Sequence, residues 1–286
     1  MNKKVYLQSE LDINESSEVS FSSDYEESVT DNLISDNAYN CRVYDYPEGT
    51  HVTFYKQTIN KKGKVNENLK KSYVNKERTI QEEIHCAKVS ASASKNRIYN
   101  IARSNTWEWF ITITFDREKV DSSNYNTVIN KMNDFLYHLR NRKCPEMKYL
   151  IVPELHADGV HFHFHGLLAF CDGLHMSYSG HNTRGRNSQP IFNILDWSFG
   201  FTTATRIKDS GRASSYITKY ITKECVSHLK EKNRYICSRN VNRARPEYMV
   251  QDEEDFLKVY GDRIVYAKSI EVKEANQIIT YYELKD

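Results

Sequence analysis

The stretch HADGVHFHFHGLLAF, residues 156–170, constrains this chain more than any other. Its Asp158-Gly159 pair tolerates positive φ and marks a tight turn. After the turn, His161, His163 and His165 fall on alternate residues and run into the apolar Gly166-Leu167-Leu168. Alternate residues of a strand share one face. Before the turn, KYLIVPEL (148–155) reads as a second strand, so the two segments pair as a hairpin. Glu154 then lies on the strand entering the turn, and His163 and His165 on the strand leaving it. One face can converge two imidazoles and a carboxylate on a single point. Two nitrogens and a hard oxygen suit a catalytic divalent metal such as Mn²⁺ or Mg²⁺. His156 and His161 stand nearby as alternative ligands or as groups that orient the ligands. The rival reading is a solvent-exposed face, because inward imidazoles without a role are costly to bury.

The surrounding pattern places this hairpin in a larger domain. WEWFITITF (107–115) reads as a buried strand rich in β-branched and aromatic residues. KNRIYNIARSN, just before it, is helix-like. Val128, Met132, Phe135, Leu136 and Leu139 recur at helical spacing within 125–142. Residues 172–190 are rich in Gly, Ser and Asn and read as a loop. QPIFNILDWSFGFTTATRI (189–207) suggests further strands with a turn at Gly200. SGRASSYITKYITKECVSHLK (210–230) is helix-like, with Ser210 as its N-cap. Strand, helix, strand, strand, then strand and helix is the order of an α+β fold: an antiparallel sheet with flanking helices, placed on one face, of ferredoxin-like type. Trp107, Trp109 and Trp197 sit in strand contexts that favour the core.

Outside this region the signals are coarser. Residues 1–40 carry nine Asp or Glu against two Lys and read as an acidic, disordered tail. Residues 42–59 form a strand pair around Pro47-Glu48-Gly49. Residues 61–78 hold seven Lys or Arg against two Glu, a solvated face or a phosphate contact. The expected organisation is a tail over 1–40, an N-terminal accessory region over 41–94, a chemical domain over 95–245 and a C-terminal accessory segment over 246–286. None of the six cysteines forms a C-x-x-C pair, which argues against a zinc ribbon or redox motif and for free thiols. No apolar run has the length of a signal peptide or membrane span, so a cytoplasmic protein is expected. No G-x-x-x-x-G-K-[ST] phosphate loop is present.

A second constellation is YITKYITK, 216–223. In a continuous helix Tyr216, Lys219, Tyr220 and Lys223 stand at i, i+3, i+4 and i+7 and share a face, while Ile217 and Ile221 can anchor the helix to the sheet. A tyrosine hydroxyl can act as a covalent nucleophile when activated. A nearby lysine can hold a phosphate oxygen or ease ionisation of the phenol. Taken alone, the segment also reads as an amphipathic surface helix with two solvated lysines. The duplicated Tyr-x-x-Lys spacing, beside the histidine strand, favours the chemical reading.

With both constellations in hand, the chain resembles the HUH-type replication initiators of rolling-circle plasmids and phages. FITITF (110–115) looks like their first motif, HFHG (163–166) like the His-hydrophobic-His motif, and YITKYITK like the nucleophile motif in its two-tyrosine form. The resemblance covers roughly residues 95–240. It implies an HUH endonuclease palm, with His163 and His165 as metal ligands and Glu154 as the third. It implies Tyr216 and Tyr220 as nucleophiles, although some relatives use a single tyrosine. Lys219 and Lys223 would contact the scissile phosphate or the metal-bound region. The implied reaction is metal-dependent transesterification of single-stranded origin DNA, giving a 5′-phosphotyrosine and a free 3′-OH that primes host polymerase. With no nucleotide-binding loop, helicase activity would come from the host or another protein.

Three other outcomes share parts of this signature. An HUH transposase or conjugative relaxase would use the same chemistry to a different end. A non-catalytic DNA-binding repressor would keep the scaffold without the reaction. A metal-dependent hydrolase using His156, His161, His163 and His165 would not need the tyrosines. The basic segment 228–245, with six Lys or Arg and one Glu, could track a DNA backbone with Tyr235 stacking a base, or could be a solvated surface. The loop 181–187 could also lie over DNA.

Overall fold

The computed structural model describes residues 38–60, 79–185, 188–221, 229 and 232–285. Nearly all of the acidic tail, the basic segment 61–78 and Lys223 lie outside the described residues. In chain order the elements are β1 (Ala38–Tyr46), β2 (Gly49–Asn60), α1 (Ile80–Arg103), β3 (Trp109–Phe115), α2 (Tyr125–Arg142), β4 (Lys148–Leu155), β5 (Phe162–Ala169), β6 (Met176–Asn182), β7 (Pro190–Ile194) and β8 (Gly200–Arg206). They continue with α3 (Ser210–Ile217) and a 3₁₀ turn over Thr218–Tyr220, then β9 (Ile236–Cys237), β10 (Glu247–Met249), α4 (Glu253–Tyr260), β11 (Ile264–Val272) and β12 (Gln277–Leu284). The fold is α+β, with two antiparallel sheets, and is compatible with a ferredoxin-like palm. No described helix is long and apolar enough to cross a membrane.

The described chain divides into two units. The first is built from Ser90–Ala102 and Thr106–Val241. Its seven-stranded sheet has the order β6-β7-β8-β3-β5-β4-β9. β5 pairs antiparallel with both β3 and β4, so those two run parallel and are linked through α2. This is the split β-α-β arrangement of ferredoxin-like folds, completed by β8 on the far side of β3.

The alternation of each strand decides which face its residues serve. Trp109, Ile111, Ile113 and Phe115 of β3, with Phe162, Phe164 and Leu168 of β5, meet the apolar stripe of α2: Val128, Met132, Phe135, Leu136 and Leu139. The side chain of Asn124 caps that helix by accepting from the Asn126 and Thr127 amides. The opposite face packs Leu150, Val152, Leu167 and Ala169 against Ile98, Ile101 and Ala102 of α1 and Ile217, Tyr220 and Ile221 at the end of α3. Helices therefore cover both faces of the sheet, not one as the sequence suggested. The apolar-both-sides burial of β5 requires this, because every residue of that strand is buried.

Two more expectations are corrected. The stretch 172–190 is not simply a loop, because it holds β6 and the first residue of β7, paired as a hairpin from Met176↔Ile194 to Asn182↔Pro190. Backbone pairing supplied by β7 outweighs the loop-like composition. His181 and Asn182 of the expected 181–187 loop accordingly lie in β6. The cap of α3 is Asp209, one residue earlier than expected, whose side chain accepts from the Arg212 amide at 2.9 Å. The three tryptophans are buried, as their strand contexts predict.

The second unit contains described residues of 38–89, Arg103–Asn105 and 242–285. Segments from the two accessory regions form one five-stranded sheet, β10-β1-β2-β12-β11. Cys41, Val52, Phe54, Tyr282 and Leu284 on one face pack with Phe256 of α4. On the other face, His51 is pushed down to about 4 by burial, with Arg103 and Arg42 acting the same way.

Packing alone generates two predictions. A Cβ on Gly200 would lie 2.2 Å from Thr114 O and 2.6 Å from the Asp116 amide nitrogen, backbone atoms with no freedom to yield. Gly200→Ala is expected to destabilise the first unit by about 3 kcal/mol, read as a lowered urea midpoint of tryptophan fluorescence. His51 binds its proton more weakly folded than unfolded, so the unfolded state gains stability as pH falls below about 6.5. The second unit is expected to lose about 3 kcal/mol between pH 6.5 and about 4. Hydrogen exchange of β2 amides should show this loss, and His51→Gln should remove most of it.

Candidate metal centre and tyrosine pair

The hairpin register builds the site. Glu154 pairs with His163 across β4 and β5, and His165 pairs with Thr112 across β5 and β3. Residues directly opposite in an antiparallel pair point to the same face. The turn that holds this register is tied by Asp158, whose Oδ1 accepts from the amides of Val160 and His161 at 3.0 and 3.1 Å. Its Oδ2 accepts from Arg117 Nη2 at 2.7 Å and lies 2.8 Å from His161 Nδ1. His161 is thus engaged by the turn and stands outside β5. His156 lies closer to the cluster, its ring centroid 4.2 Å from that of His163.

Glu154 Oε2 lies 2.8 Å from both His163 Nε2 and His165 Nε2, and those two nitrogens lie 2.8 Å from each other. Each imidazole nitrogen has one in-plane site, donor or acceptor, and can serve only one of its two neighbours. Hydrogen bonding cannot satisfy all three contacts, whereas one cation held by the three atoms can. The donor set therefore fits a metal ion, and among the described residues this trio is the one cluster of His, Cys, Asp or Glu that could hold one. Burial by itself would raise the Glu154 carboxyl, but the two imidazoles facing it outweigh this and hold it at about 2. Burial pushes His165 down to about 4 against the pull of Glu154, which keeps the imidazole neutral, the form that binds metal. Thr112 Oγ1, 3.1 Å from His165 Nδ1, fixes the orientation of that ring.

The tyrosines approach from the helix side. α3 ends at Ile217, and the chain continues as a single 3₁₀ turn to Tyr220 before Ile221 leaves helical geometry at φ −84°, ψ 81°. The expected helix through residue 230 is thus not continuous in its described part. The β-branched residues Ile217, Thr218 and Ile221 weaken helix propensity there, and Thr218 Oγ1 donates to the Ser215 carbonyl at 2.7 Å. Burial of Ile217 and Ile221 against the sheet holds the irregular turn in place. Tyr220 consequently lies flat on His165, ring centroids 3.5 Å apart and planes at 14°. Tyr216 meets Tyr220 edge-on at 5.4 Å and also packs on Phe110.

The two phenols are not equivalent. Tyr220 is 8% exposed, while Tyr216 is half-buried. Burial drives the Tyr220 hydroxyl far above the usual phenol range, and the neighbouring Tyr216 and Glu154 act in the same direction. Exposed Lys219 sets its ammonium 5.4 Å from the centre of the Tyr216 ring. The structure thus brings together Glu154, His163, His165, Tyr216, Tyr220 and Lys219. Sequence spacing did not single out Thr112 and Phe110; only their register opposite β5 and beneath the tyrosines marks them.

A ferredoxin-like sheet carrying a Glu-His-His trio faced by paired tyrosines defines a class of protein with a candidate metal centre built for work on an ester-like bond. Residues 108–225, which span the whole site, match the model of the replication-associated protein ORF2 family, and this part of the chain belongs to that family, consistent with a rolling-circle replication initiator. No curated protein and no solved structure matches the chain.

Saturating divalent cation is expected to raise the melting temperature, with about 2.7 kcal/mol of stabilisation when its concentration reaches about 100 times Kd. Differential scanning calorimetry of Glu154→Gln and His165→Ala should show that rise abolished.

Proposed function

We propose that the chain is a sequence- and strand-specific nicking and joining enzyme that initiates rolling-circle replication of a plasmid or phage in the cytoplasm of a bacterial host. The observation that carries this reading is the contact between the two constellations: the ring of Tyr220 stacked on His165, with Tyr216 against Tyr220. His165 and Tyr220 lie far apart in sequence and meet only because the fold gathers them. Membership of the 108–225 region in a replication-associated family supports the same reading.

Glu154, His163 and His165 would hold the metal. Octahedral ions with bonds of about 2.0–2.1 Å set neighbouring donors roughly 2.9 Å apart, and tetrahedral ions roughly 3.3 Å. The 2.8 Å edges of the trio therefore favour Mg²⁺ or Mn²⁺ over zinc. When bound, the ion supplies a Lewis acid for the phosphate oxygens, since the nucleophile is a side chain and no hydroxide is needed.

The tyrosine oxygen attacks the phosphorus of a single-stranded origin. A Tyr–O–P bond forms, the bond to the 3′ oxygen breaks, and the proton passes to that leaving oxygen. The products are a 5′-phosphotyrosine and a free 3′-OH that host polymerase can extend. One phosphodiester replaces another, so rejoining needs no nucleotide hydrolysis, and strand separation falls to a host helicase. Tyr216, half-exposed beneath Lys219, is placed for the first attack, and Tyr220 for the second transfer. Lys219 is placed to hold a phosphate oxygen. Lys223 is assigned the same role from its motif position.

The test is covalent capture of labelled single-stranded origin DNA with Mn²⁺. A metal-dependent adduct surviving denaturation is expected, falling to background in Tyr216→Phe for the first cleavage. Tyr220→Phe should keep that adduct and lose strand transfer. Cleavage without any adduct, indifferent to both substitutions, would instead identify a metal hydrolase. Tight binding of cognate origin DNA without reaction would identify a repressor.

A further inference from the structure

The face that carries the trio is only partly covered. Register sets its residues in lateral rows across β8, β3, β5 and β4. One row is Thr205, Phe110, Leu167 and Leu150, and the tyrosines and Ile217 pack over its apolar part. The next row is Thr203, Thr112, His165 and Val152. The last is Phe201, Thr114, His163 and Glu154. Phe201 is 67% exposed there, on a strand paired with β3 and not at the sheet's edge. It stands two strand spacings, about 10 Å, from His163.

We infer that Phe201 is a platform on which a base of single-stranded DNA stacks beside the reacting phosphate. The inference rests on the nicking function proposed above. A solitary exposed apolar residue is ordinary on a protein surface. This one differs in its row, which it shares with two members of the trio. It differs too in how it is held: the preceding Gly200 sits so close to the Thr114 carbonyl that no side chain fits, which pins Phe201 over the end of β3. The floor between the phenyl ring and the trio is the half-buried hydroxyl residues Thr114, Thr112 and Thr203, which can donate to phosphate or sugar oxygens without reading sequence. A flat apolar ring, a hydroxyl floor and a cation site in one line match a nucleotide's base, sugar and phosphate. Stacking on an aromatic ring tolerates any base, so Phe201 contributes affinity and position, and sequence choice lies elsewhere.

The experiment compares binding of the full-length protein to oligo(dT) and to an abasic strand of the same length, by fluorescence anisotropy. The wild type should prefer oligo(dT). Phe201→Ala should weaken oligo(dT) binding about 5- to 150-fold and leave abasic binding unchanged, and Phe201→Trp should restore it. A preference for oligo(dT) that survives Phe201→Ala overturns this inference alone. Equal weakening on both strands also overturns it, since the ring would then act without contacting a base. A wild type that binds neither strand overturns the nicking function and this inference with it.

Discussion

Everything at the site depends on the pairing of β4 with β5. Side chains alternate between faces with a period of two, so a slip of one residue would send His163 and His165 into the core beneath α2 and bring Phe162 and Phe164 out. That slip is opposed from both ends. The turn locks the register locally through Asp158, which gathers two amides, Arg117 and His161. The core locks it globally, because Phe164 and Leu168 face α2 while Leu167 and Ala169 face α1 and α3. The trio needs both, since three donor atoms on two strands converge only when Glu154 and His163 stand directly opposite.

A consequence of that register is that the metal centre lies at a boundary. On one side the sheet face is roofed by α1, α3 and the tyrosines; on the other, Phe201 and the threonines are open. The boundary explains the unequal tyrosines. Ile217 and Ile221 bind the segment to the roofed side, the helix gives way to a tighter turn, and Tyr220 is pressed onto His165 while Tyr216 stays partly outside. In water-poor surroundings a phenol resists ionisation, so the more accessible Tyr216, beside the ammonium of Lys219, has the easier electrostatics for a first attack.

Much of this was legible in the residues. The Asp-Gly turn, the alternation of His163 and His165, and an upstream strand ending near Glu154 together implied the trio, because strand geometry leaves little freedom once a tight turn is specified. α2 was equally plain, since its apolar spacing matches one helical face. The β6–β7 hairpin was hidden by composition: Ser, Gly and Asn carry no strand signal, and its strands are held by backbone pairing. The continuous helix through 230 was overread for the opposite reason, as spacing marks which residues could share a face but not where the backbone stops being helical.

By itself, then, the sequence determined the local units: which strand carries the imidazoles, which residue opposes them, and which tyrosines recur at one-turn spacing. These follow from periods of two and 3.6, which depend only on the backbone. Only the tertiary structure decided that helices cover both faces, that Tyr220 rather than Tyr216 lies against His165, that Thr112 orients that ring, and that Phe201 shares a row with the trio. Each of these joins residues distant in the chain through strand order and burial, and no local period encodes which strands become neighbours.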